Sequence, residues 1–252
     1  HPGGWDHKGS ATMFSDRMYV QTMQKTIFMD ELIRKHGAIM DRYDPDKRVA
    51  LVVDEWGSWY DVEPGTNPGF LFQQNTLRDA LIAATTLNIF HNHADRVRMA
   101  NLAQIVNVLQ SLIFTEGEKM VLTPTYHIFN MYKVHQDATL LPSQVKCNKY
   151  SVEDLSVDQV NASASKDANG VVHVSLVNLA LDKSVKVKVD VRGMDVKKVT
   201  DGQLITSKDI SDHNTFDKPD EIDLQSFSKY SIKNGIITVE LPAKSVVTFA
   251  VK

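Results

Sequence analysis

The chain has 252 residues, 42% of them hydrophobic and 23% charged, with a net charge of −3 at pH 7. That is ordinary globular usage, enough for one large core or two moderate ones, and it offers no basic surface to nucleic acid or anionic lipid. No apolar run approaches the ~20 residues of a bilayer span, and the single cysteine, Cys147, excludes an internal disulfide and a zinc site built on several cysteines.

The first residues, His1-Pro2-Gly3-Gly4-Trp5, carry no initiator Met, charged n-region or apolar h-region, so the chain reads as one entered in its middle. Residues 16–44 read as a helix: Met29, Leu32, Ile33, His36, Met40 and Tyr43 recur at spacings of three and four, and Pro45 stops the run. Val49-Ala50-Leu51-Val52-Val53 follows without alternation, as in a parallel strand covered on both faces. From Gly57 to Phe72, with Pro64, Gly65, Asn67, Pro68 and Gly69, runs a long irregular connection of the kind compact domains keep for function. Leu77, Ala80, Leu81, Ala84 and Leu87 mark one face of a second helix, and "RVRMANLAQIVNV" supplies a second strand with its exit loop. This alternation of helix and strand belongs to a parallel α/β fold.

After Pro142 the pattern changes. Val185–Val191 alternates strictly, with Lys186, Lys188 and Asp190 on the wet face. Asn169-Gly170 precedes "VVHVSLV" and Asn234-Gly235 precedes "IITVEL", which are hairpin signals. An antiparallel sandwich with one dry and one wet face is expected here, with Ser207–Lys229 as a polar surface connection. The expected domains are residues 1–142 and 143–252.

The join at "VVDEW" carries the chemistry. In barrels of alternating strands and helices, catalytic groups sit where strands end and loops begin, and Glu55 stands at such a place. Trp56, Trp59 and Tyr60 offer flat faces suited to a sugar ring, and paired carboxylates are the usual equipment of glycoside hydrolysis. A strand-end carboxylate serves equally as a helix cap or a structural ion-pair partner. Asp54 and Glu55 make a poor pair, because adjacent strand side chains point to opposite faces. The second carboxylate must then come from elsewhere.

The segments "DEWGSWY", "LRDAL", "HADRV" and "MANLAQIVNV", continuing through "EGEKMVLTPTYHIFNMYKVHQDATLLP", resemble the C-terminal part of an α-L-arabinofuranosidase of glycoside hydrolase family 51. The likeness is strong from Pro2 to Pro142 and weaker beyond. It implies an α/β plus all-β chain: the C-terminal part of a (β/α)8 TIM barrel followed by an antiparallel, jelly-roll-like β-sandwich. It further implies a retaining glycoside hydrolase that removes terminal α-L-arabinofuranosyl groups from arabinan or arabinoxylan fragments. In that pattern Glu55 matches the nucleophile, Trp59 an aromatic lining the sugar site, and Gln104 a hydrogen-bond partner of the bound arabinose. Trp5 is weighed as a substrate-facing ring from the loop after strand six or a surface-packed one. Gly57 stands where many members carry Asn, which bears on the shape of the loop. The family's acid/base Glu follows an Asn at the fourth strand end, and no such segment occurs here, so it is expected upstream of His1. The implied partners are an arabinofuranosyl-containing saccharide, the upstream part of the same enzyme and further copies in a homo-oligomer. No cofactor, metal, nucleic acid or membrane is implied, and the chain alone is expected to be inactive.

Two other functions compete: an endo-β-glucanase on the same scaffold, and a non-catalytic carbohydrate-binding or interaction module. Against the module, the sandwich half has no Trp, and its aromatics are mainly Phe216, Phe227, Tyr230 and Phe249. His91-Asn92-His93 with Asp95 mimics a metal cluster but falls at a helix-to-strand turn. His127, His135 and Cys147 read as structural, and Asn161-Ala162-Ser163 is a glycosylation tripeptide that is common by chance.

Overall fold

A computed structural model describes residues 8–252. Its first element is α1, Asp16–Tyr43, where the Ser15 side chain accepts the Met18 N–H at 3.3 Å and so caps the helix. The periodicity marked only part of the buried face of this helix: Ile33 is buried and Met29 packs on the core, but the N-terminal residues that carry most of the burial were not marked. Tyr19, Val20, Met23 and Ile33 are its buried apolar residues, whereas Leu32 and Tyr43 are exposed. Most of the first half packs on the protein, and from its middle onward the helix leaves Phe28, Leu32 and Ile39 open.

Strand β1, Leu51–Trp56, pairs in parallel with β2, Val97–Leu102. Between them runs α2, Leu77–Asn92, whose N-terminus is closed by the Thr76 N–H donating to the Asp79 carboxylate at 2.8 Å. This is the βαβ unit expected from the sequence. Buried Arg96 ties its base together, donating to the Asp44 carboxylate and the Val49 carbonyl, both at 2.9 Å, and pairing with Asp41. The end of α1 and the entries of β1 and β2 are thereby fixed to one guanidinium.

The expectation that β1 is covered on both faces is not met within these residues. Leu51 and Val53 pack on the helical core, but Val52 is 41% exposed and Met99 on β2 57%. One face of the parallel pair stands open.

A hairpin, β3 (Ile113–Glu116) and β4 (Lys119–Leu122), leads to α3, Pro124–Tyr132. Strand β5, Thr139–Leu141, then joins a six-stranded antiparallel sheet, and the short hairpin of β6 (Lys149–Val152) and β7 (Leu155–Asp158) follows. The large sheet also contains β8 (Val160–Lys166), β9 (Val172–Asn178), β11 (Val199–Thr206), β12 (Gln225–Ser226) and β15 (Ser245–Val251). A three-stranded sheet of β10 (Val185–Asp190), β13 (Tyr230–Lys233) and β14 (Ile236–Leu241) packs against it. Asn234 and Gly235, both with positive φ, form the two-residue turn between β13 and β14 that their dipeptide predicts.

Two cores result. Val174, Leu176, Val247 and Phe249 meet Ile237, Val239 and Leu241 between the sheets. On the other side of the large sheet, Val177, Leu179, Ile205 and Val246 join a core containing Leu81, Ile128 and Met131 of the helices. The single wet face expected of the sandwich is therefore correct for β10 and wrong for the central strands: all seven residues of β15 are buried, because helices cover the outer face. Residues 207–229 also differ from a surface connection. Ile210 and Ile222 are buried, and the Asp212 and Ile210 carbonyls accept the first N–H groups of α2, from Leu77 and Arg78. The segment straps the sandwich to the helix N-terminus, supplying partners for amides the helix leaves unbonded.

Polar groups lock the helix–sheet seam. From α2, Asn88 donates to Asn161 at 2.8 Å and accepts from Ser163 at 2.7 Å, and Asn92 donates to the Ala162 carbonyl at 3.0 Å. His135, after α3, sits between Ser165 at 2.7 Å and Ser175 at 2.6 Å, with the His91 ring 4.7 Å away. Burial lowers the His135 pKa to about 3 and the His91 pKa to about 4. Both His127 and His135 are buried, and His135 is a bridge between layers. Among the described residues no helix is long and apolar enough to cross a membrane.

Candidate active site

The site is built on the C-terminal ends of β1 and β2. Val53 pairs with Ala100 and Trp56 with Leu102, so three steps along β1 match two along β2. The extra residue is a bulge, and it breaks strict alternation. Leu51, Val53 and Trp56 can then all face the helical core, while Asp54 and Glu55 are both exposed. Strict alternation, which would send Asp54 and Glu55 to opposite faces, does not hold across this register shift.

The Glu55 side chain has no hydrogen bond or ion pair among the described residues. Its strand continues into Gly57 at φ +135°, a conformation that L side chains rarely adopt. A Cβ there would lie 3.2 Å from the side-chain oxygen of Gln110, so the glycine admits that side chain against the backbone. Gln104 begins the loop after β2 and is exposed, and the neighbouring Ala103 N–H donates to the Trp56 carbonyl at 3.0 Å. The structure thus brings Glu55 and Gln104 to adjacent strand ends. Trp59 is half-buried on the next turn of chain, its ring 5.5 Å from the Lys8 ammonium. Trp5 lies outside the described residues.

Of the three aromatics proposed as a sugar platform, two are core residues. Trp56 is buried, stacked on Phe129 at 6.1 Å and meeting the edge of Phe90 at 5.5 Å. Buried Tyr60 lies on the Arg78 guanidinium at 3.8 Å, and the Phe14 ring covers the other side at 3.7 Å. Trp59 is the one of the three that is not fully buried. The aromatic cluster after Glu55 is mostly an anchor for the loop.

Beneath the loop lies a buried polar network that motif reading missed. Ser58 N–H donates to Gln110 Oε1 at 2.8 Å, and Ser58 Oγ donates to Asp79 at 2.7 Å. Tyr60 N–H donates to Gln73 Oε1 at 2.7 Å. Gln110 in turn donates to the Asp79 carbonyl at 3.0 Å. Burial pushes the Asp79 carboxyl above its ordinary range, against the pull of the adjacent Arg78 charge. The available signal was polar residues inside otherwise apolar stretches, as in "VLQSLIF".

Other candidates go elsewhere. His93 hydrogen-bonds Asp30 at 2.7 Å, Asp95 pairs with Lys47, and His91 faces Ser163 at 3.1 Å, so these groups are dispersed among different partners. Cys147 lines a cavity of about 350 Å³ with Ile27, Asn92 and Asn161, and Glu55 is not among its lining residues.

Comparison with known proteins identifies the family. Residues 54–245 match the family model for the α-L-arabinofuranosidase C-terminal domain. An intracellular exo-α-L-arabinofuranosidase of Bacteroides ovatus is 49% identical over 247 residues, which is 97% of this chain and 48% of that protein. The crystal structure of a GH51 arabinofuranosidase from Xanthomonas axonopodis pv. citri superposes with a TM-score of 0.97 at 49% identity, covering 100% of this chain and 51% of the other. An arabinose complex of the Thermotoga maritima α-L-arabinofuranosidase gives a TM-score of 0.80 at 25% identity, over 94% and 50% of the two chains. This chain therefore spans about half the length of the relatives it matches. It belongs to the family of α-L-arabinofuranosidase C-terminal domains of glycoside hydrolase family 51.

Proposed function

We propose that this chain supplies the nucleophile half of a retaining exo-α-L-arabinofuranosidase acting on arabinan- and arabinoxylan-derived oligosaccharides. The observation that carries the reading is the placement of Glu55: an exposed carboxylate without a salt-bridge partner among the described residues, at the C-terminal end of a parallel strand and beside Gln104 on the next strand end. In a retaining enzyme such a carboxylate attacks the anomeric carbon. A second carboxyl group about 5–5.5 Å away protonates the leaving oxygen and then activates water. Gln104 donates to the sugar's hydroxyls, and Trp59 covers one face of the ring.

The second carboxyl group belongs to the upstream part of the same enzyme. That part also covers the open face of β1 and β2, where Val52 and Met99 are exposed, and it closes the barrel. The division into a barrel segment, residues 1–142, and a sandwich, residues 143–252, belongs to the same reading, with β5 lent by the first part to the sheet of the second. Assembly into a homo-oligomer is a further part of it. An endo-β-glucanase is disfavoured because the Bacteroides ovatus and Xanthomonas relatives, each 49% identical, are arabinofuranosidases.

The test is Glu55→Gln in the complete enzyme, assayed on an aryl α-L-arabinofuranoside. The expected loss of kcat is on the order of 10⁴-fold or more, because the covalent step has no substitute nucleophile. Near-normal turnover refutes the assignment. The 252-residue chain alone is expected to release no arabinose.

A further inference from the structure

We propose that Gln110 is a positioning residue for this reaction: its buried carboxamide fastens the loop after Glu55 to the loop that carries Gln104, and so sets the aim of the carboxylate. The inference rests on the reading of Glu55 as the nucleophile.

The ladder itself does not fix that aim. The bulge lies between Val53 and Trp56, so Glu55 sits in the irregular part of the pairing. The Ala103 N–H on the Trp56 carbonyl holds the last residue of the strand, and beyond it the chain is held through residues 57–60. Three buried side chains do so: Gln73 on the Tyr60 amide, Asp79 on the Ser58 hydroxyl, and Gln110 on the Ser58 amide. Of these, Gln110 belongs to the segment that leaves β2 through Gln104. Its oxygen accepts from Ser58 N–H at 2.8 Å, and its nitrogen donates to the Asp79 carbonyl at 3.0 Å and lies 3.4 Å from the Thr125 hydroxyl. One fully buried side chain thus joins the Glu55 loop, the Gln104 loop, α2 and the first turn of α3. Gly57 is the complement of this contact, since a Cβ would stand 3.2 Å from the same oxygen and 3.5 Å from the Ala103 carbonyl.

Removing the carboxamide leaves the Ser58 N–H buried without its acceptor, and the loop must shift to satisfy it. A nucleophile displaced by about 1 Å loses rate on the order of 10²-fold with little change in ground-state binding. That split separates positioning from general stability.

The test uses the complete enzyme and an aryl α-L-arabinofuranoside. Gln110→Met keeps the length of the side chain and removes both polar ends. Gln110→Glu keeps an acceptor for Ser58 N–H but donates to the Asp79 carbonyl only while protonated. For Gln110→Met we expect kcat at least about tenfold lower with KM within about threefold, at a temperature where its circular dichroism matches wild type. For Gln110→Glu we expect kcat to approach wild type at low pH and to fall as the new carboxyl ionises. A folded Gln110→Met with kcat within about twofold of wild type overturns the proposal. Should that variant not fold, the pH profile of Gln110→Glu decides, and a profile superimposable on wild type overturns it. Glu55→Gln measured alongside separates the two layers. Near-normal turnover there sinks the nucleophile assignment, whereas an inactive Glu55→Gln with a normal Gln110→Met sinks only the positioning role.

Discussion

Strands β1 and β15 have the same kind of sequence and different surroundings. Each is dominated by apolar residues without strict alternation, Val49–Val53 leading into β1 and Val246–Val251 broken only by Thr248 in β15, which is what burial on both faces selects. Around β15 both covers are present: the three-stranded sheet on one side and the helices on the other, with every residue buried. Around β1 the helices cover one face, and Val52 and Met99 remain exposed on the other. The contrast teaches that an apolar run records the burial a strand needs, and that apolar residues left uncovered mark where another element belongs. Glu55 stands at the end of the uncovered pair. In the proposed enzyme that open face is the barrel interior, and the carboxylate lies at its mouth.

The comparison is sharpened most by truncating a residue on the covered side. Phe249→Ala, in the core between the sheets, should cost about 3–5 kcal/mol in urea unfolding of this chain. A cost near zero would mean that the covered sheet is not packed as described. The seam gives the next largest effect. His91 and His135 are held neutral by burial, with pKa values of about 4 and about 3, below the ordinary value of 6.5. Between those values and 6.5 the unfolded chain binds protons that the folded chain refuses. Stability is therefore fully present above pH 6.5 and falls as pH drops toward 4 and then 3, by up to about 1.4 kcal/mol per pH unit for each proton. Thermal unfolding between pH 7 and pH 4 measures this, and His135→Gln should flatten the slope. A Tm independent of pH in that range would break the account of the seam. The smallest effect belongs to the open face: Met99→Ser should change the stability of this chain by no more than about 0.5 kcal/mol. A loss as large as that of Phe249→Ala would show that Met99 is covered after all, and the contrast between the two strands would fall.

The sequence announced elements better than their surroundings. The extent of α1, the two Asn-Gly turns and the parallel pair were legible because a proline stop, turn chemistry and periodicity are local. The buried face of α1 was not: Leu32 and Tyr43 have the spacing of core residues, yet spacing says nothing about which neighbours are present. The strap at 207–229 looked polar because its two anchors, Ile210 and Ile222, are outnumbered by charges, and its carbonyls bond α2 without any sequence signature. At the site, Glu55, Trp59 and Gln104 were reached by resemblance to a family motif. The roles of Trp56 and Tyr60 as anchors, and the whole network around Gln110, depend on contacts between segments far apart in the chain. The bulge that exposes both Asp54 and Glu55 is likewise a property of pairing with β2.

The claim that matters most is that the carboxylate at the end of β1 bonds covalently to the sugar. The direct measurement is peptide mass spectrometry of the complete enzyme after trapping with a mechanism-based arabinofuranosyl reagent. The account predicts one added pentosyl mass on the peptide containing Glu55, absent from Glu55→Gln. The same mass on another peptide, or turnover with inversion and no adduct at all, would contradict it.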